Sequence, residues 1–302
     1  FFYDYLYKKK NYYEKEKLNQ LYEGGDYEFY QQLNDFSIQA YAINLSIFVC
    51  YYLRITNKEK RNILYEKMNL LFKEFDTSFS DKDFLELPLK EERFLVENMK
   101  LDKGIAKNRT LLENIFSLFV AINNKVPIFI VGKPGCSKSL SVKLIIKSMQ
   151  GSGSDNYFFK EFPKVMVNSY QGSFGSTSKG VENVFNKARD LSIQLQKKDK
   201  GQSISLIFFD EMGLAEHSPN NPLKVIHSEL EYEQNEGDKS VAFIGISNWI
   251  LDAAKMNRGI SISIPEPDED DNKETSLTIG KSFDENLAKR YESFFENLGK
   301  VY

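Results

Sequence analysis

The stretch Ile128-Phe-Ile-Val131-Gly132-Lys133-Pro134-Gly135-Cys136-Ser137-Lys138-Ser139-Leu140 decides the fold. Its apolar start, residues 127–131, reads as a strand buried on both faces. An apolar periodicity of three and four resumes at Lys138 and predicts a helix over 138–149, with Gly151 as its C-cap. A strand, a glycine-bearing turn and a helix in that order make a phosphate-binding loop. The glycines let backbone N–H groups converge on an anion, and the helix N-terminus adds partial positive charge. Lys138 is placed to meet the β- and γ-phosphates as a point charge, and the Ser139 hydroxyl to ligate magnesium. The expected ligands are therefore ATP and Mg2+, held along residues 132–140. One residue departs from the general pattern: Ser137 stands before the lysine, where glycine is usual and tolerates positive φ without a Cβ penalty. The plainer alternative is an ordinary strand–turn–helix connection.

The same alternation continues downstream. A second strand is expected at 164–167, followed by a Gly/Ser loop at 171–178. A helix then carries Val181, Val184, Phe185, Ala188 and Leu191, and a polar linker spans 197–202. A third strand at 204–209 ends in Asp210-Glu211, and a helix covers 223–231. A fourth strand at 241–246 ends in Ser247-Asn248, and a short helix at 251–256 leads past Arg258 to a fifth strand at 260–264. Strands separated by helices predict an α/β fold with a parallel five-stranded sheet. In such sheets ligands sit at the carboxyl ends of the strands. Asp210 is thus a candidate magnesium ligand and Glu211 a candidate general base for water. Asn248 could orient that water, or simply end its strand, since Asn is common in turns. Arg258 could reach a neighbouring unit's γ-phosphate as an arginine finger, a role suited to a permanently charged fork, or could face solvent.

Upstream, residues 1–100 read as helical. Ile43, Ile47, Cys50 and Tyr51 form one expected inward stripe. Ile63, Leu64, Met68, Leu71 and Phe72 form another within a helix over 61–75, with polar connections at 57–60 and 77–83. A further helix at 111–122 shows Leu112, Ile115, Phe116, Phe119 and Val120 on one face. The acidic run 266–271 reads as a solvated turn, and the chain after it as helical.

Composition narrows the class. Of 302 residues, 41% are apolar and 27% charged, a globular balance, and a net charge of −3 gives no general attraction to nucleic acid. The most apolar window, 40–53, is too short to span a bilayer, so no transmembrane segment is expected. Only two cysteines, Cys50 and Cys136, and two histidines, His217 and His227, occur, and their separations build no zinc finger. Pairing Cys136 would block the loop it lies in, so free thiols and a reducing compartment are expected. The chain begins with Phe1 and shows no signal peptide, and it reads as a piece of something longer.

The P-loop, the Asp-Glu pair, the polar strand end and the trailing arginine together resemble an AAA+ ATPase. The resemblance narrows further in Val131-Gly-Lys-Pro-Gly-Cys-Ser-Lys-Ser-Leu140, Asp210-Glu-Met-Gly-Leu-Ala-Glu-His-Ser-Pro219, Pro222-Leu-Lys224 and Gly245-Ile-Ser-Asn-Trp249, with Leu251-Asp252 and Ala254-Lys-Met-Asn-Arg-Gly-Ile260. These are similar to the AAA core of the mysterin family, giant RING-type E3 ubiquitin ligases with dynein-like tandem AAA units. Within that family a serine before the P-loop lysine is normal. The resemblance implies a helical region over 1–103, comprising the lid of a preceding AAA unit and a connection. It implies a large nucleotide-binding domain over 104–265, with Gly104-Ile-Ala-Lys-Asn108 beside the adenine, and the start of a truncated lid over 266–302. It further implies neighbouring AAA units in the same parent chain, ubiquitin machinery reached through regions outside this one, and a place in the cytoplasm and at lipid droplets. Three readings stand: an ATP-hydrolysing unit that drives or regulates a ligase, a nucleotide-binding scaffold with slow or no turnover, and a dynein- or midasin-like motor without a ligase. The full set Asp210, Glu211, Asn248 and Arg258 favours the first over the second. The stretch from Gly213 to Pro219 favours mysterin over other motors.

Overall fold

The protein is described from a computed structural model, which covers residues 1–18, 30, 35–75, 84–199, 202–235, 240–267 and 269–301. The expected connection at 77–83, part of the linker at 197–202 and Asp268 of the acidic run lie outside these residues.

Five parallel strands form one sheet in the order β2-β3-β4-β1-β5. They are β1 (Ile128–Val131), β2 (Lys164–Gln171), β3 (Ser203–Asp210), β4 (Ala242–Ser247) and β5 (Ile260–Ser263). All four residues of β1 and all six of β4 are buried, as a strand covered on both faces requires. Register runs Val131 opposite Ser247 and Ser263, Phe209 opposite Gly245, and Gln171 opposite Asp210. The carboxyl ends of β1, β3 and β4 therefore lie side by side.

Helices cover both faces. In chain order they are α1 (Phe2–Leu18), α2 (Asp35–Ile47), α3 (Lys58–Phe75), α4 (Glu86–Glu97), α5 (Arg109–Asn124), α6 (Lys138–Ser148), α7 (Tyr157–Lys160), α8 (Ser178–Asp199), α9 (Met212–Glu216), α10 (Ile226–Asn235), α11 (Ala253–Met256), α12 (Glu269–Phe283), α13 (Glu285–Arg290) and α14 (Glu292–Val301). Asn108 starts α5 by accepting a hydrogen bond from Leu111 N at 3.0 Å, an N-cap that satisfies one of the helix's free donors. Every residue from Thr110 to Ile122 is buried, so α5 has no solvent face. One side meets the sheet. The other meets the N-terminal helices, where Phe2 and Phe48 pack on Phe116, and Tyr5 packs on Phe119. On the far face of the sheet, Phe185 of α8 stacks on Phe243 of β4.

Several expectations are corrected. Ile43, Cys50 and Tyr51 are exposed, whereas Ile38, Tyr41, Leu45, Phe48, Val49 and Tyr52 face the core. The window is apolar on every side, so its periodicity admits two stripes, and a π-helical turn over Phe48–Tyr52 carries the buried one onwards. Ile63 and Leu71 of α3 are also exposed, while Leu64, Met68 and Phe72 pack against the core. Gly151 does not cap α6: Met149 closes that helix, and Gly151, at φ +57°, opens a separate 3-10 turn. The acidic run is no simple turn, because Glu269, Asp270 and Asp271 form the first turn of α12, where the helix dipole favours negative charge. The single helix expected over 223–231 is a 3-10 turn, Pro222–Val225, followed by α10.

Two buried polar clusters tie α1, α3 and α4 to this frame. Lys9 of α1 pairs with Glu91 of α4 at 2.7 Å, and Tyr5 and Tyr30 both donate to the same carboxylate. Both Glu91 oxygens thus have partners, as burial of a charge demands. Next to it along α4, Glu92 is fully buried, and neither carboxyl oxygen has a partner among the described residues. Glu113, which is paired with Arg61 and Arg109 at 2.9 Å each, adds its repulsion. Burial first, then Glu113, holds the Glu92 carboxyl well above the usual carboxylate range, against the pull of Arg109, Arg61 and Arg93.

A carboxyl raised in the folded state binds its proton more tightly there than in the unfolded chain. Its contribution to stability is therefore present at low pH and lost as pH rises through the folded-state value. Glu92→Gln is expected to abolish this term. Denaturant melts of the wild type and this variant should converge near about pH 4 and separate by about pH 8, with the variant more stable there. A variant less stable at every pH would contradict the assignment.

Candidate nucleotide site

The P-loop leaves β1 at Gly132, whose N–H donates to Ser247 O at 3.2 Å and continues the β1–β4 ladder by one residue. It reverses through two left-handed residues, Gly135 at φ +90° and Ser137 at φ +53°. Ser137 thus adopts the geometry for which glycine is usual, at the steric cost its Cβ carries. α6 begins at the next residue. Ser137 O accepts from both the N–H and the hydroxyl of Ser141, each at 2.8 Å, which anchors the first turn.

Lys138 is buried, and its Nζ donates to Gly132 O and Lys133 O, both at 2.7 Å. The ammonium is therefore held inside the loop it serves. Burial lowers its pKa, while Cys136, Glu211 and Asp210 draw it back up. Burial likewise pushes the Cys136 thiol up, so the buried sulfur favours the neutral thiol. Lys133 and Pro134 are exposed, and Lys133 forms an ion pair with Glu266 beyond β5.

The second half of the site arrives from β3 and β4. Ser139 Oγ donates to Asp210 Oδ2 at 3.5 Å, and Asp210 Oδ1 accepts from the Glu211 N–H at 2.9 Å. Glu211 is itself left-handed, at φ +52°, which turns it off the strand axis and into the start of α9. Asn248 Nδ2 donates to Glu211 Oε2 at 3.0 Å and to Oε1 at 3.3 Å. Two of the non-glycine left-handed residues, Ser137 and Glu211, thus fall within one small site, where local strain concentrates when function requires it. The tertiary structure brings together Lys138, Ser139, Asp210, Glu211 and Asn248. It does not bring Arg258 to them: that side chain is partly exposed and pairs with Glu231 of α10.

This donor set suits a polyphosphate with a hard cation. Ser139 and Asp210 offer oxygen ligands, Lys138 offers a cation, and the helix N-terminus offers N–H groups. Residues 104–271 match the family model described as the RNF213 AAA domain. The chain belongs to that family.

Human E3 ubiquitin-protein ligase RNF213 is 37% identical over 268 residues, covering 87% of this chain and 5% of that protein. The mouse E3 ubiquitin-protein ligase RNF213 is 40% identical over 203 residues, 66% of this chain and 4% of that protein. A proteasome-associated ATPase of Catenulispora acidiphila is 28% identical over 194 residues, covering 57% of this chain and 30% of that one. The chain thus spans about one twentieth of the length of the RNF213 proteins it matches. The mysterin resemblance read from the motifs is this family, and the RNF213 AAA domain here is the parallel five-stranded sheet with its covering helices.

Within the RNF213 AAA domain, the motifs did not announce every supporting residue. Gly172 follows β2 directly, and its N–H donates to Asp210 O at 2.8 Å. A Cβ there would lie 2.1 Å from Glu211 O, which is backbone and cannot move aside cheaply. Its signal in the sequence was the Gly/Ser loop after the second strand, but its partner lies on another strand. Gly172→Ala is expected to cost about 1–3 kcal/mol in denaturant melts, as overpacking does. A wild-type melting curve would show that this contact is looser than described.

Proposed function

We propose that this chain is an ATP-binding and ATP-hydrolysing AAA+ unit. The reading is carried by one observation: the Ser139–Asp210 contact and the Asn248–Glu211 bonds gather two hydrolytic carboxylates beside the P-loop lysine. Residues 132–140 would bind the phosphates, and Ser139 and Asp210 would hold magnesium. Bound there, the metal supplies neutralisation of charge on the transferring phosphoryl oxygens. Lys138 would exchange its two carbonyl partners for phosphate oxygens, a change that its partial desolvation makes favourable. Glu211 would accept a proton from the attacking water, and Asn248, already bonded to that carboxylate, would set its orientation.

Arg258 would act in trans. Its partly exposed pairing with Glu231, with no bond to Asp210 or Glu211 among the described residues, suits a residue that meets a neighbour's nucleotide. In this reading residues 104–265 are the nucleotide-binding domain, 1–103 belong with a preceding unit, and 266–302 begin the lid. The parent would be a RING-type E3 ubiquitin ligase whose conformation this unit drives or regulates, acting in the cytoplasm and at lipid droplets. Its partners would be neighbouring AAA units and the ubiquitin machinery.

Lys138→Ala is expected to abolish ATP binding in a calorimetric titration. Glu211→Gln should retain binding and lower phosphate release about a hundredfold or more. Binding without turnover by the assembled wild type would leave the scaffold reading in its place. Arg258→Ala should slow turnover about a thousandfold in the assembled form alone. The same loss in an isolated unit would remove the trans role.

A further inference from the structure

We propose that Asn114 is a positioning residue for the phosphate cradle, an assignment that rests on the ATP-binding reading above. Asn114 lies on α5, which runs beside β1 and the P-loop, and is 1% exposed. Its Nδ2 donates to Cys136 O at 3.2 Å, across 22 residues of sequence. Only the amide nitrogen can serve a carbonyl, so the acceptor assigns the orientation of the side chain. Its Oδ1 is then buried with no partner among the described residues.

An asparagine with one polar end orphaned in an apolar layer is a poor device for stability. An apolar side chain of the same size would remove that orphan, in exchange for the bond to Cys136 O. What Asn114 supplies is direction. The 136–137 peptide is planar and trans, so a carbonyl drawn towards α5 sends the N–H of Ser137 to the opposite side. Ser137 is left-handed (φ +53°, ψ +17°), and Lys138 next opens a right-handed helix. That alternation turns successive N–H groups into one concavity that accepts an anion. Serine holds the left-handed state at a cost that glycine does not carry. The Asn114 bond offsets that cost and keeps the cradle formed before phosphate arrives, whereas a P-loop with glycine in this place has less need of it.

The test is binding of a fluorescent ATP analogue with magnesium to the 302-residue chain, read as Kd alongside thermal unfolding. Asn114→Leu exchanges one unpaired polar atom for another, so it should leave the melting temperature close to the wild type's and weaken binding about tenfold. Asn114→Ser, which shortens the donor out of reach, should weaken it similarly and serves if the leucine variant does not fold. Adding Ser137→Gly to either variant should restore most of the lost affinity, because glycine adopts the left-handed turn unaided. Restoration is the readout that a merely structural role would not produce. Wild-type affinity in a folded Asn114 variant, or a loss that Ser137→Gly does not repair, overturns the proposal. Absence of binding by the wild type would instead overturn the nucleotide reading itself, and the proposal with it.

Discussion

The parallel pairing of β3, β4 and β1 is the constraint on which the rest of this molecule depends. Parallel strands in register end at the same level, so the residues after each of them share one edge of the sheet. Val131 stands opposite Ser247 and Phe209 opposite Gly245, which sets Gly132, Asp210 and Asn248 close together. Gly132 and Gly172 then extend the ladders past the strands, by bonds to Ser247 O and Asp210 O. A slip of one residue between β1 and β4 would turn each inward side chain to the other face and separate the P-loop from its carboxylates.

That register is held by burial on both faces. α5 is buried along nearly its whole length, pressed between the sheet and the N-terminal helices. Its N-terminus meets α12 through Asn108 with Thr275 and through the Arg109 N–H with Asp271. Its first half carries Glu113, which gathers Arg61 and Arg109, and the very next residue, Asn114, meets the P-loop. One helix therefore touches the C-terminal helices, the N-terminal helices and the loop that follows β1. A displacement of α12 or α3 has a short mechanical route to the cradle, because packed interiors transmit strain rather than absorb it.

The site is also where local conformation is least relaxed. Ser137 and Glu211 hold left-handed backbones, and Lys138 is buried against carbonyls. None of these arrangements suits an isolated segment. Each persists because flanking strands and helices leave no room for another, and Gly172 marks how tight that fit is, with the Glu211 carbonyl filling the space a side chain would need.

Much of this was legible in residue order. The P-loop, the Asp210-Glu211 strand end and the spacing of strands with helices depend on local chemistry, so they yielded the parallel sheet and its five strands directly. The motifs also carried the family, since they concentrate in the segment that matches the RNF213 AAA domain. The inward face of α2 was not legible, because a window apolar on every side has no unique stripe, and only packing selected Ile38 and Leu45 over Ile43 and Tyr51. Nor could residue order join Asn248 to Glu211, Gly172 to the Glu211 carbonyl, or Asn114 to Cys136. Those contacts link residues on separate elements. Local periodicity states which residues can face inward, while only the assembled layers determine what each of them meets.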